Sequence, residues 1–256
     1  MIQPYSLYFH VPFCVHRCAY CDFNTYAGQE DSIPAYVDAL CNEIEFVGQN
    51  ASEQISAHTI FFGGGTPSLL SPAQFESIFK AIRKNFNLLD NSENTIEANP
   101  GTVSLDNLKE LRKIGINRIS FGVQSANSEE LRMLERAHDF FDVIEAVSSA
   151  RKAGFDNLNL DLIYGLPEQT LQTWQTSVKR ILDLRPEHIS AYALTLEHGT
   201  PFGRWSSPYK RVINRLNCIK LGLIQDSKLF RVRNFEFHLR HLLVIAILII
   251  SFSISA

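Results

Sequence analysis

The strongest constraint on the fold is a repeating alternation of short apolar runs with helical stretches. Runs at residues 6–11, 59–62, 95–98, 118–124, 157–164 and 188–196 read as strands. Helical patterns lie between them at 35–47, 72–86, 105–114, 141–153 and 171–184. Local chemistry marks their ends. Ser71 with Gln74 three residues on has capping-box spacing, and Leu105, Leu108 and Leu111 share one face of a helix that stops at Gly115. Strands alternating with helices of this length imply right-handed βαβ units and a parallel sheet, hence an α/β fold.

Three of the strands carry polar residues at every second position. Thr95, Glu97 and Asn99 alternate with Ile96 and Ala98; Ser120, Gly122 and Gln124 with Ile119, Phe121 and Val123; Asn159 and Asp161 with Leu158, Leu160 and Leu162. Period two places each polar set on one strand face. With helices over the apolar face, the polar face lines a cavity, as in a barrel or partial barrel. An antiparallel sheet with one wet face is the other arrangement with this pattern, and the intervening helices weigh against it.

Charge divides the chain. The net charge of −3 argues against a nucleic-acid surface, but residues 206–241 hold eight Lys/Arg against two Asp/Glu. Residues 242–250 are nine apolar residues in a row, short of the ~20 that a membrane span needs. A buried helix, an interfacial anchor or a non-native tail all suit them. We therefore expect a core domain over residues 1–205 and an atypical tail over 206–256. The N-terminus lacks a basic segment followed by an apolar one, so the expected location is cytoplasmic.

Of five cysteines, Cys14, Cys18 and Cys21 fall within eight residues, in a C-x₃-C-x₂-C loop after the first strand. An odd total and a tight cluster do not suit a disulfide framework. Three thiolates on one loop can converge on a metal centre. Zinc would require a fourth ligand, from His10, His16 or Asp22, and no second Cys pair follows. An iron–sulfur cubane on three cysteines leaves one iron open to another ligand. Gly63-Gly64-Gly65-Thr66-Pro67 follows the second strand, either as a tight turn or as a close approach of backbone to a ligand. The cysteine loop, the glycine run, Glu97, Gln124 and Asp161 all fall near C-terminal strand ends, where such sheets bind ligands.

Taken together, C-x₃-C-x-Y-C after Tyr8-Phe9-His10, Gly-Gly-Gly-Thr-Pro, Glu97-Ala98-Asn99-Pro100-Gly101, residues 118–125 (RISFGVQS) and residues 161–167 (DLIYGLP) resemble the radical S-adenosylmethionine superfamily. Within it they resemble the oxygen-independent coproporphyrinogen III oxidase group, over roughly residues 5–205. The resemblance implies a partial (β/α)₆ barrel with a [4Fe–4S] cluster on Cys14, Cys18 and Cys21. It further implies S-adenosylmethionine contacts from Tyr8, the backbone near Tyr20, Gly64, Gly65, Thr66, Glu97, Gln124, Arg136 and Asp161. These types suit the ligand, since carboxylates accept from ribose hydroxyls and ammonium, and an Arg fork pairs with a carboxylate.

The decarboxylating oxidases of that group carry a further Cys two positions after the third cluster cysteine, where this chain has Phe23. The Tyr20-Cys21-Asp22-Phe23 run is instead similar to a heme-chaperone branch that binds heme and passes it to acceptor proteins. Heme as cargo and acceptor hemoproteins as partners are what this branch implies; oxidative decarboxylation of a porphyrinogen is the alternative. Relatives continue into a domain with a His-Asn-x-x-Tyr-Trp motif that is not found here, so a truncated or frame-shifted, non-functional product is a third expectation. Cys41 reads as a small buried hydrophobe, Cys218 has no partner at metal spacing, and His58, His138, His188 and His198 show no ligand-pair spacing.

Overall fold

Among the described residues, every strand pairing is parallel. The computed structural model describes residues 4–204 and the backbone of 242–245. The strands are β1 (Tyr5–Val11), β2 (Phe13–Cys14), β3 (Tyr26–Ala27), β4 (Ser56–Gly64), β5 (Asn87–Ala98), β6 (Arg118–Gln124), β7 (Leu158–Tyr164), β8 (His188–Ala193) and β9 (Leu242–Ile245). The helices are α1 (Ile33–Asn50), α2 (Pro72–Asn85), α3 (Leu105–Ile114), α4 (Ser128–Met133), α5 (Phe140–Lys152) and α6 (Leu171–Asp183).

The main sheet runs β8-β7-β6-β5-β4-β1-β9, all parallel. From β1 through β4 to β8, each new strand joins the same side in chain order. Right-handed crossovers wound in one direction put all their helices on one face. Accordingly α1 packs on α2, α2 on α3 and α3 on α5. The sheet does not close among the described residues, with β8 and β9 as its two ends. An open, singly wound sheet covered on one face is the expected partial-barrel architecture.

Strand alternation decides what each face meets. Leu7, Phe9, Ile60, Phe62, Ile119, Phe121, Val123, Leu158, Leu160 and Leu162 turn toward the helices and are buried. They meet Leu40, Phe75, Phe79, Leu108, Val143 and Ile181. Phe62 stands edge-on to Phe75 with ring centroids 5.1 Å apart, a favoured aromatic geometry. Each such side chain contributes about 1.5–3 kcal/mol by leaving water.

The helix starts follow the capping chemistry. Ser71 and Gln74 form the reciprocal capping box, and Gly115 ends α3 at φ +121°. Asp139 and Asp142 make a second box that starts α5 at Phe140. Some boundaries differ from expectation. α1 begins earlier, at Ile33, because Pro34 fits the first turn, where its missing N–H costs nothing. β5 begins at Asn87, since Ser56 and Ala57 of β4 pair with Asn87 and Leu88 despite the polar run that follows. α4 was not anticipated; it is six residues long, and Asn127 caps it.

The basic stretch 206–241 and Cys218 lie outside the described residues. Of the apolar run 242–250, the part described is strand β9, paired with Ser6–Phe9 of β1. No helix among the described residues is long and apolar enough to cross a membrane.

Candidate functional site

The inner face of the sheet opens onto a cavity of about 420 Å³, within the ~300–1,000 Å³ common for small-molecule sites. Its wall is polar because register aligns the alternating residues. Glu97 pairs with Ser120, Gly122 with Asp161, and Asp161 with Ser190.

The cysteine loop lies across this cavity, between β2 and β3. These two short strands pair Phe13 with Tyr26 and close the loop at its base. The glycine run then pins it: the N–H of Gly65 donates to Val11 O (2.8 Å) and that of Thr66 to Phe13 O (2.7 Å). A Cβ on Gly65 would stand 2.5 Å from Phe13 O and 3.0 Å from Cys14 Sγ. That glycine is required for close approach to the cysteine loop itself. On the other side, Ala19 packs with Leu134, Leu166, Leu194 and Phe202, and its carbonyl accepts from the N–H of Phe202 (3.1 Å). Loop and barrel are joined from both directions.

Cys14, Cys18 and Cys21 all line the cavity. Burial pushes the Cys14 and Cys21 thiols up, and the Thr66 hydroxyl, donating to Cys14 Sγ at 3.7 Å, acts against this at Cys14. Arg136 donates from Nη1 to Cys18 Sγ (3.3 Å) and from Nη2 to Gly122 O (2.7 Å) and Asn99 Oδ1. Burial works against its charge, but Tyr20 and Cys18 beside it more than offset that. Among the described residues, no group of three or more His, Cys, Asp or Glu side chains could hold one metal ion. Ligands of a single tetrahedral zinc would crowd sulfurs to about 3.8 Å of one another. A cubane puts each cysteine on a different iron, so its ligands stand farther apart than those of a single ion.

Two carboxyl groups line the same cavity. Burial, followed by the charge of Asp161, raises the Glu97 pKa to about 7, and Glu97 accepts from the Gly64 N–H at 3.1 Å. Burial also raises Asp161, which accepts from Ser120 Oγ (2.9 Å) and Asn159 Nδ2 (2.7 Å). Gln124 sits beside them in a left-handed conformation (φ +68°), at the point where the β6–β7 register shifts. A non-glycine residue held there costs about 1–3 kcal/mol. The wall thus offers paired carboxylates, a guanidinium with a buried, unpartnered Nε, and three thiols. A zwitterionic ligand with extra positive charge and sugar hydroxyls fits that donor set, and so does a cluster that needs thiolates.

Of the residues expected at the site, Gly64, Gly65, Thr66, Glu97, Gln124, Arg136, Asp161, Tyr20 and the three cysteines line the cavity. Tyr8 does not. Its ring stacks on Phe61 and its hydroxyl meets His10 Nδ1 at 3.2 Å, yet it lies close enough to Glu97 that, after burial, the Glu97 charge helps raise its pKa. Sequence reasoning put Asn99 and Ser120 on the cavity face without a role, and it missed Tyr192 and Glu197 as lining residues. Asn99 and Ser120 were visible in the alternating pattern but carried no charge to single them out.

Residues 8–181 match the family model described as the radical SAM superfamily. The heme chaperone HemW of Haemophilus influenzae is 42% identical over 206 residues, covering 78% of this chain and 54% of that protein. HemW of Escherichia coli is 40% identical over 204 residues, covering 79% and 53%. The chain spans about half the length of these curated relatives. Among solved structures, the coproporphyrinogen III oxidase HemN of E. coli, described as a radical SAM enzyme, aligns with a TM-score of 0.74 and 33% identity. The alignment covers 87% of this chain and 53% of that one.

Proposed function

The chain belongs to the radical SAM superfamily, and from that premise we propose that it binds an iron–sulfur cluster and S-adenosylmethionine in the service of heme handling. The superfamily implies a [4Fe–4S] cluster and S-adenosylmethionine. In this reading Cys14, Cys18 and Cys21 hold the cluster. When bound, the cluster supplies an iron open to the amino and carboxylate groups of S-adenosylmethionine.

The protein's own residues divide the remaining work. Glu97 and Asp161 accept from the ammonium and ribose hydroxyls, and Arg136 pairs with the carboxylate. Gly64, Gly65, Thr66 and Gln124 present backbone and amide groups at the same wall, and the Tyr20 segment closes it from the loop side. Tyr8, bonded to His10 and close to Glu97, adds a cofactor contact on the same side. One observation carries the reading: three thiols of one loop share a cavity with two half-buried carboxyls and a guanidinium.

Heme as cargo is supported by the names of the HemW relatives and by Phe23. Phe23 stands 61% exposed at the cavity rim, in the position where the decarboxylating oxidases resembled here carry a further Cys. The second reading, porphyrinogen decarboxylation, draws on the HemN alignment. A single assay separates them. The anaerobically reconstituted chain is offered heme and, separately, coproporphyrinogen with S-adenosylmethionine and a reductant. Heme uptake followed by a rising Soret band in an apo-hemoprotein acceptor is expected, without vinyl formation on the porphyrinogen. Vinyl formation would transfer the assignment to the oxidase.

A further inference from the structure

Two of the three cysteine sulfurs are joined through side chains by an unbroken relay centred on Asn99. Its direction follows from what each group can do. Arg136 has only donors, so the Asn99 atom that faces its Nη2 is the carbonyl Oδ1. The amide flip is thereby fixed, and Nδ2 points at Thr66 Oγ1, 3.0 Å away. Thr66 accepts that bond, which leaves its own proton for Cys14 Sγ at 3.7 Å. At the other end the Arg136 Nη1 donates to Cys18 Sγ at 3.3 Å. Asn99 is itself held in place, because Thr102 Oγ1 donates to its backbone carbonyl (2.8 Å) and Ser68 meets Thr102 at 2.6 Å.

We propose that Asn99 is a positioning residue for the cluster: it orients the Thr66 hydroxyl toward Cys14 and the Arg136 guanidinium toward Cys18, so that both sulfurs receive a hydrogen bond. Hydrogen bonds to cluster sulfurs are among the determinants of reduction potential, since they stabilise the more electron-rich reduced state. Asn99 thus acts on the potential without touching the cluster. The inference rests on Cys14 and Cys18 being cluster ligands.

The test is a potentiometric titration of the reconstituted full chain, followed by the electron paramagnetic resonance signal of the reduced cluster. Asn99→Asp keeps an acceptor for Arg136 but offers Thr66 a carboxylate in place of an N–H. The hydroxyl proton then turns to Asp and away from Cys14 Sγ, and the potential falls. Thr66→Val lowers it by removing the hydroxyl, whereas Thr66→Ser returns it toward the wild-type value. Because both changes act on one bond, the double variant Asn99→Asp/Thr66→Val shifts less than the sum of the single shifts. Fully additive shifts, or unchanged potentials in Asn99→Asp and Thr66→Val, would overturn the relay while leaving cluster binding intact. Should Asn99→Asp fail to hold a cluster, Asn99→Ala takes its place: a wild-type potential overturns the relay, and a lower one sustains it. A wild-type chain that takes up no cluster would end both this inference and the reading beneath it.

Discussion

Glu97 and Asp161 stand two strands apart on the inner face of the sheet, and burial, joined by the charge of Asp161, raises the Glu97 pKa to about 7. Without a cation between them, both carboxylates cannot ionise cheaply. This tension defines the site as one that favours a positively charged ligand, and it has a measurable signature.

That signature is a pH-dependent cost in the ligand-free chain. The Glu97 pKa is raised on folding from an ordinary value of 4.5 to about 7. Between these values the folded state binds more protons than the unfolded one, so the Glu97 contribution to stability is complete below about pH 4.5 and is lost as pH rises through about 7. Glu97→Gln mimics the protonated state. It should raise the Tm of the cofactor-free chain relative to wild type at pH 8, by the equivalent of about 3 kcal/mol, and the advantage should vanish near pH 4.5. A constant difference across pH would show that the Glu97 charge is not the source.

Cluster assembly should depend on the loop cysteines and not on cysteine content. Cys18→Ala removes the sulfur that Arg136 addresses, whereas Cys41 lies on α1, away from the cavity lining. Anaerobic reconstitution of wild type should give about four irons and four sulfides per chain. Cys41→Ala should match it, and Cys18→Ala should lose the cluster. Equal iron in both variants would remove Cys18 from the ligand set.

Asp161 should act on S-adenosylmethionine and leave the metal untouched. Its carboxylate is fixed by Ser120 and Asn159, and no cysteine is among its hydrogen-bond partners. Asp161→Ala should retain full iron content, while the change that S-adenosylmethionine causes in the reduced cluster's paramagnetic spectrum weakens. An undiminished response would reassign Asp161 to the framework of the sheet.

Much of this site could be read from strand alternation alone. Ser120, Asn159 and Asp161 occupy alternate positions between fully buried leucines and aromatics, and period two leaves them no face except the inner one. Tyr8 sits in phase with Glu97, and both side chains come within 3.1 Å of the point where a Cβ on Gly63 of the intervening β4 would stand. Asn99 shares the polar phase of Thr95 and Glu97, but nothing local signals its bond to Arg136, 37 positions later in the chain. The short helix α4 escaped because six residues are too few for apolar periodicity, although the Asn127 cap was present. Chain positions far apart meet through register, and register is set by packing that no local window contains.

The last prediction concerns the contact that seats the cysteine loop. Gly65 and Gly154 both follow secondary structure, but their surroundings differ. A Cβ on Gly65 meets the Phe13 carbonyl at 2.5 Å, so backbone must move, and the backbone in question carries Cys14. At Gly154 a Cβ meets nothing within 4 Å, and the difficulty is its φ of +91°. Gly154→Ala should therefore cost roughly 1–2 kcal/mol through left-handed strain and leave cluster content unchanged. Gly65→Ala should cost about 1–3 kcal/mol through overpacking and, in addition, reduce iron per folded chain, because the displaced carbonyl accepts the Thr66 N–H that holds the loop. The two variants are compared by thermal unfolding of the cofactor-free chain and by iron content after reconstitution. If Gly65→Ala loses stability but keeps full iron, the glycine run serves only as a turn, and the seating of Cys14 must come from the β2–β3 pair.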